Sequence, residues 1–419
     1  MKVALVNTNR YLHPPVVPVG LEYLVEPLEQ AGHPVEVLDL AFSKDPVGEL
    51  VRFLDAARPD VTGLSVRNVD TGAFVTSLFF LDEVASLVEA AKRSTGKPVV
   101  VGGSATLCAG EALREYVGAD HLVTGPGEVA LPELVRSIQS DPASAPATVD
   151  GWSRGIIPGA CYPRGRSIDY APYLEGGHPV GIEFRRGCDW ACRFCVERKT
   201  PRFTRDRDAV LSEALSLAEA GVGMAFLCDT EVNQDLDGTH ALLSAIADED
   251  LGLEWSGYFK PTPFDPLTAR LAARSGFEGV TLWVASVDLS GGDAPYGARE
   301  VTRFIELCKA EGTRVAVDLL VGYPGESDES IERAFALLAG ARPATVGVTA
   351  HIRLYETTPA AADAARAGGR LVGAVEDNPS LLKPVFYSSV DPDWLKEKIG
   401  GDKRFVMEGE SRTVNYQRI

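Results

Sequence analysis

Three of the chain's seven cysteines stand within eight residues, in the segment Arg186-Gly187-Cys188-Asp189-Trp190-Ala191-Cys192-Arg193-Phe194-Cys195. The spacing is C-x3-C-x2-C. Three thiolates on one tight loop can each hold one iron of a 4Fe–4S cluster, because such clusters are bound by cysteine sulfur. That assigns Cys188, Cys192 and Cys195 as both metal ligands and catalytic residues. The fourth iron has no nearby cysteine; the next, Cys228, lies one strand away. An open metal position is what separates a catalytic site from a closed structural one. A zinc site would call for a second Cys/His pair at loop spacing, and the six histidines are scattered. Cys108, Cys161 and Cys308 read as small buried hydrophobes.

The loop must be carried by something rigid. From residue 1 to 140, short β-branched runs alternate with amphipathic stretches: strands at Val3–Asn7, Val35–Leu40, Val61–Val66, Pro98–Val101 and His121–Thr124, with helices between them. This predicts an α/β, doubly wound, Rossmann-like parallel sheet, whose ligands bind at the carboxyl ends of its strands. Residues 141–179 read as a linker with a small hairpin at Ile156–Arg166. A second βα series occupies 180–360, with strands at Gly181–Phe184, Met224–Cys228, Leu253–Phe259, Val280–Ala285, Val315–Val321 and Thr345–Leu354. Six units predict a partial (β/α)6 barrel with its reactive face at the strand carboxyl ends. Residues 361–419 are expected to form a small cap.

The 419 residues carry 41 Lys plus Arg against 59 Asp plus Glu, a net charge of −18. Such a chain repels phosphate backbones, so no nucleic-acid partner is expected. No apolar run approaches the ~20 residues of a spanning helix, and no membrane partner is expected. The N-terminus runs directly into an apolar strand rather than a signal peptide. With an odd cysteine count, this points to a reducing cytoplasm.

The C-x3-C-x2-C loop after the first barrel strand resembles the signature of the radical S-adenosylmethionine (SAM) superfamily. The resemblance implies that the open iron chelates SAM and that reduction yields a 5′-deoxyadenosyl radical. It also implies an acidic group near the SAM ammonium, for which Glu231 is the first candidate and Asp229 the second. Ser286 and Asp288 follow the fourth barrel strand, where polar groups reach the ribose or carboxylate. Gly322-Tyr323-Pro324-Gly325-Glu326 is similar to the turn that backs the adenine, and Tyr355 lies in a segment similar to pocket walls in relatives. Trp190 and Phe194 would shield the cluster. Arg202, Arg205 and Arg207 read as a solvated face.

A doubly wound domain ahead of such a barrel resembles a cobalamin-binding domain. Gly102, Gly103 and Ser104 follow its fourth strand, and Gly125, Gly127 and Glu128 its fifth. Glycines there let the backbone approach a bulky ligand, and Ser104 leaves room for the nucleotide tail. A dinucleotide site is the rival, but Asn7-Thr8-Asn9-Arg10 replaces the expected glycine motif. The D-x-H-x-x-G motif that supplies a histidine to cobalt is absent. Ser65 and Arg67, at the end of the third strand, would then sit under the corrin, with Arg67 near the lower cobalt face.

Together these features resemble the cobalamin-dependent radical SAM enzymes, whose commonest activity is methyl transfer. The resemblance implies three cofactors: a 4Fe–4S cluster, SAM and cobalamin. In the implied route one SAM methylates cobalamin, and a second yields the radical that activates an unactivated carbon. A small-molecule substrate resembling a natural-product intermediate is expected, with an external electron donor of flavodoxin or ferredoxin type. The alternatives are cyclisation, ring contraction or oxidation without methyl transfer, or a non-catalytic cobalamin or iron–sulfur sensor. A transfer-RNA methylthiotransferase would need more cysteines in the N-terminal domain than Cys108.

Overall fold

The computed structural model describes residues 1–289, 294 and 296–409. Six parallel strands form the first sheet: β1 (Val3–Asn7), β2 (Val35–Asp39), β3 (Val61–Ser65), β4 (Val99–Gly102), β5 (His121–Thr124) and β6 (Thr148–Asp150), in the order β2-β1-β3-β4-β5-β6. β1 is buried throughout, as expected of a parallel strand covered on both faces. The order reverses between β1 and β3, and Thr8 bridges their ends through its hydroxyl to the Ser65 carbonyl at 2.8 Å.

The barrel strands are β7 (Val180–Ile182), β10 (Met224–Leu227), β11 (Glu254–Phe259), β12 (Gly279–Ala285), β13 (Arg314–Leu320) and β14 (Thr345–Thr349). Between the first two, β8 (Arg185–Arg186) pairs antiparallel with β9 (Phe203–Thr204). Helices start on side-chain caps just after their strands: Asp235 accepts from the Gly238 amide at 2.7 Å and Asp265 from Thr268 at 2.7 Å. β15 (Ile352–Arg353), β16 (Arg370–Gly373) and β17 (Val385–Ser388) make a small antiparallel sheet. β18 (Phe405–Met407) pairs parallel with β14.

Three expectations are corrected. Residues 148–150, placed in a linker, form an edge strand of the first sheet; three residues in a Pro- and Ser-rich stretch give too little periodicity to read. The expected hairpin at Ile156–Arg166 contains no strand. Its prolines cannot donate to a ladder, and its carbonyls serve the barrel instead: Pro158 accepts from the Asp206 amide at 2.8 Å and Ala160 from Arg205 at 3.0 Å. The region expected to be a cap contributes β18, so the open barrel sheet has seven parallel strands, β18-β14-β13-β12-β11-β10-β7. Residues 410–419 of that region lie outside the described residues.

The two sheets are locked together by buried charge. Arg164 pairs with Glu22 at 2.9 Å and Glu213 at 2.6 Å, and Arg205 pairs with Glu213 at 2.7 Å, with no side chain more than 2% exposed. Two arginines face two glutamates, so the charge balances. Tyr23 donates to Glu213 at 2.8 Å, Tyr170 donates to Glu22 at 2.6 Å, and the Tyr23 and Tyr162 rings stack at 4.2 Å. Glu22 and Tyr23 belong to the first domain's helix Val19–Gln30, whereas Glu213 belongs to the barrel helix Arg207–Glu219. Arg205, expected on a solvated face, is thus a buried junction residue. Elsewhere on the seam, Arg353 pairs with Asp70 at 2.9 Å.

Removing one partner of a buried network strands the others. Arg164→Ala is therefore expected to cost about 3–5 kcal/mol in urea unfolding. A loss below about 1 kcal/mol, the range of exposed pairs, would contradict the locking role.

Candidate active site

The cluster loop is pinched at its root by the β8–β9 clip. Gly187, at φ +88°, sits where a Cβ would lie 2.0 Å from the Pro201 carbonyl oxygen, so only glycine closes this neck. The Cys188 amide donates to Thr200 Oγ1 at 2.9 Å, and Gln234 donates to the Gly187 carbonyl at 2.8 Å. Farther out, Arg193 holds Asp363 through two bonds of 2.8 Å, and its carbonyl accepts from the Ala360 amide at 3.0 Å. Phe194 packs on Trp283 at 4.5 Å, and Trp190 stacks on Tyr296 at 5.2 Å. These contacts hold the loop at its root and along its outer turn.

Cys188 is buried, and Cys192 and Cys195 are half-buried. Lys260, 2% exposed, places Nζ 3.5 Å from Cys188 Sγ and 4.1 Å over the Trp190 ring. Burial pushes the Cys192 and Cys195 thiols up to about 12 and raises Cys188, which the Lys260 ammonium opposes. A bound metal reverses such shifts by deprotonating coordinating thiols outright. Among the described residues, no three His, Cys, Asp or Glu side chains converge as ligands of a single ion. A cluster asks for something different, since each cysteine takes its own iron. The donor set fits that group.

The expected SAM contacts divide. Glu231 faces Lys260 and Glu197; burial raises its carboxyl to about 8, and its Oε2 is buried with no partner among the described residues. Asp288 accepts from Tyr296 at 3.1 Å and lies close enough to raise the Cys192 thiol. Asp229 is committed on one side: its Oδ1 accepts the Phe184 and Arg185 amides at 2.8 and 2.9 Å, which staples the loop's root to β10, while its Oδ2 is buried with no partner among the described residues. Ser286 is corrected: it has no exposed surface and donates to the Leu320 carbonyl at 3.2 Å. Tyr355 packs on the Arg353 guanidinium at 4.5 Å and bonds Cys108, so it stands at the domain seam. The Gly322 turn is closed by Glu326, which accepts the Gly322 and Tyr323 amides at 2.9 and 3.1 Å.

In the first domain, an apolar slot opens between the sheet and the helices Val19–Gln30 and Gly127–Ser140. It is lined by Leu21, Leu24, Gly63, Ser65, Gly102 and Gly127, among others. A Cβ on Gly63 would meet Leu5 Cδ2 at 3.1 Å, and one on Gly127 would meet Leu24 Cδ2 at 2.8 Å. The glycines keep the slot open for a flat ligand tail, so this cradle fits cobalamin. A separate polar hollow stands at the β1–β3 reversal, lined by Asn9, Tyr11 and Arg67 among others. Arg67 is half-buried, forms no ion pair among the described residues, and lies near Cys228 of the barrel.

Four first-domain assignments are corrected. Gly125 keeps clear of Trp152, whose ring a Cβ would meet at 2.7 Å. Ser104 lines neither hollow and donates to the Arg67 carbonyl at 2.7 Å, while Gly103 lets β4 approach Val66. Glu128 is spent on Arg186 at 3.0 Å, tying the first domain to the root of the cluster loop. Lys260, Arg193, Glu197 and Gly63 went unnoticed in the sequence. Gly63 carried a signal, because a glycine inside a buried strand marks a close approach. Cys161 is exposed, not a core residue.

An iron–sulfur loop on an open βα barrel, facing a glycine-lined slot in a doubly wound domain, defines a two-cofactor enzyme. Residues 8–135 match the B12 binding domain and residues 182–338 the Radical SAM superfamily. The chain thus joins a B12 binding domain to a Radical SAM domain, the pairing of the cobalamin-dependent radical SAM enzymes to which it is similar. It is 26% identical over 414 residues to tryptophan 2-C-methyltransferase of Streptomyces laurentii, covering 78% of this chain and 68% of that protein. It is also 26% identical over 260 residues to a tRNA-2-methylthio-N(6)-dimethylallyladenosine synthase of Anaplasma phagocytophilum, covering 57% of this chain and 56% of that protein. Among solved structures, the methyltransferase TsrM of Kitasatospora setae, with tryptophan and a SAM analogue bound, superposes with a TM-score of 0.84 at 27% identity, over 96% of this chain and 87% of that one. Another structure of that enzyme holds cobalamin and a [4Fe-4S] cluster. Among the described residues, no helix is long and apolar enough to cross a membrane.

The two cofactor sites should be separable by substitution. Cys192→Ala is expected to lose most of its iron and keep cobalamin. Gly63→Leu, which fills the slot, should lose cobalamin at least tenfold and keep its iron. Metal analysis and the corrin absorbance check both, and iron retention by Cys192→Ala would sink the cluster assignment.

Proposed function

We propose that this chain is a cobalamin-dependent radical SAM methyltransferase acting on a small molecule, and that the substrate is an aromatic amino acid or a close derivative. The observation that carries this reading is a likeness running over nearly the whole chain to an enzyme whose structure holds tryptophan and a SAM analogue. Both cofactor domains take part in it, so the likeness is one of the complete apparatus.

When bound, the cluster would supply electrons and an open iron for SAM, and cobalamin a carrier for its methyl group. Cys188, Cys192 and Cys195 hold the cluster. Glu231 and Asp288 face the space beside it and take the SAM ammonium and hydroxyls. Gly63, Ser65, Gly102 and Gly127 receive the cobalamin tail, and Arg67 presents its guanidinium to the corrin, where a cation disfavours a lower cobalt ligand. Trp190 and Phe194 exclude water from the loop. Electrons come from a flavodoxin- or ferredoxin-type donor in a reducing, oxygen-poor cytoplasm. The net charge of −18 and a first domain holding Cys108 as its one cysteine argue against a transfer-RNA substrate.

The test is anaerobic incubation of the fully loaded protein with SAM, reductant and L-tryptophan, counting products. S-adenosylhomocysteine together with a methylated amino acid is the expected outcome. 5′-Deoxyadenosine accompanies them where the target is an unactivated C–H, and is absent where an electron-rich ring carbon attacks the methyl group directly. 5′-Deoxyadenosine without S-adenosylhomocysteine would overturn methyl transfer.

A further inference from the structure

The inner face of the open barrel carries a carboxylate that none of the cofactor assignments uses. Strand register puts it there. Phe226 on β10 is one strand from Gly181 on β7; Trp283 on β12 pairs with Asp318 on β13, and Asp318 pairs with Gly347 on β14. Side chains alternate between faces along a strand. Val315, Val317 and Leu319 accordingly join the core under the helices, while Ala285, Leu320 and Trp283 form a separate cluster with Phe194 of the cysteine loop. Asp318 shares that second face, directly beside Trp283.

Phe226, Tyr258, Trp283 and Asp318 are all half-exposed, whereas their neighbours along the strands are buried. On β14, Gly347 carries no side chain beside Asp318; on the β7 side the space over Gly181 is taken by Cys228 Sγ, which a Cβ there would meet at 2.5 Å. Tyr258 on β11 reaches across β12 and donates its hydroxyl to Asp318 Oδ2 at 3.2 Å. No cation pairs with Asp318 among the described residues, and burial pushes its carboxyl up to about 7. An unpaired carboxylate in partial burial carries a desolvation cost unless a donor completes it. Here aromatic rings form the walls and one lone pair set is left for a ligand.

We infer that Asp318, held by Tyr258, is the acceptor for a nitrogen-borne hydrogen of an aromatic substrate lying on the Phe226–Trp283 face. The assignment rests on the proposed methyltransferase reading and adds the basis of its substrate choice. A flat ring is served by the aromatic walls, and a ring N–H or ammonium by the carboxylate. A site built to accept a buried N–H rejects an otherwise similar ring that lacks it, because the acceptor is then left unsatisfied.

The experiment compares L-tryptophan with 3-benzothienyl-L-alanine, in which sulfur replaces the ring N–H, by calorimetric titration of the loaded protein. Wild type should prefer tryptophan by about tenfold or more. Asp318→Leu should lose most of that preference and Asp318→Asn, which keeps a neutral acceptor, should retain part. Tyr258→Phe gives an independent arm with a smaller loss. Iron, cobalamin and SAM binding should stay at wild-type levels throughout. No preference in the wild type, an undiminished preference in Asp318→Leu, or weakened SAM binding in its place would overturn the assignment. S-adenosylhomocysteine counted in the same samples reports on methyl transfer separately: a preference without that product supports the Asp318 site and removes the methyltransferase reading.

Discussion

The buried ion network of Glu22, Arg164, Glu213 and Arg205 is the constraint on which the rest of the molecule depends. Desolvating four charges is expensive, and such a network adds little net stability over a well-packed apolar junction. What it supplies here is a fixed geometry. The helix that carries Glu22 also walls the apolar slot, through Leu21 and Leu24. Arg205 follows β9 and donates to the Glu183 carbonyl at 2.8 Å, at the root of the cysteine loop. The same charges therefore position one wall of the first cofactor site and the base of the second.

Around this junction the seam is tied repeatedly. Glu128 holds Arg186, Asp70 holds Arg353, and Thr357 donates to the Leu107 carbonyl at 3.5 Å. Each tie joins a segment that follows a parallel strand of one domain to a segment that follows a parallel strand of the other. The carboxyl ends of both parallel sheets are thus turned toward a common space, which holds Arg67, Cys228, Glu231 and the cysteine loop. Carboxyls and thiols in that space are pushed upward by burial, and Lys260 is set beside Cys188 and Glu231.

The barrel and the doubly wound sheet were legible from apolar runs, because parallel strands are buried on both faces and read as continuous hydrophobic stretches. C-x3-C-x2-C was legible because its chemistry is local. The polar residues at strand ends were not. Asp229, Ser286 and Glu128 stand where ligand contacts were expected, yet their partners are backbone amides, a carbonyl, and an arginine 58 positions away. A single sequence carries no trace of such distant pairing, and a polar strand-end residue serves the backbone as readily as a ligand. Short edge strands such as β6 and β18 escape for a related reason: three residues cannot display a period. Asp318 escaped because it sits mid-strand in an apolar run, where only the register reveals which face it shares.

The central claim is that the two domains are locked with their cofactor sites facing each other. Pulsed electron paramagnetic resonance on anaerobically reduced protein, carrying cob(II)alamin and the reduced cluster, measures the separation of the two spins. One narrow, short distance, unchanged when substrate is added, is the predicted result. A broad distribution, or a distance that collapses only on substrate binding, would show that the domains move independently and would contradict the account.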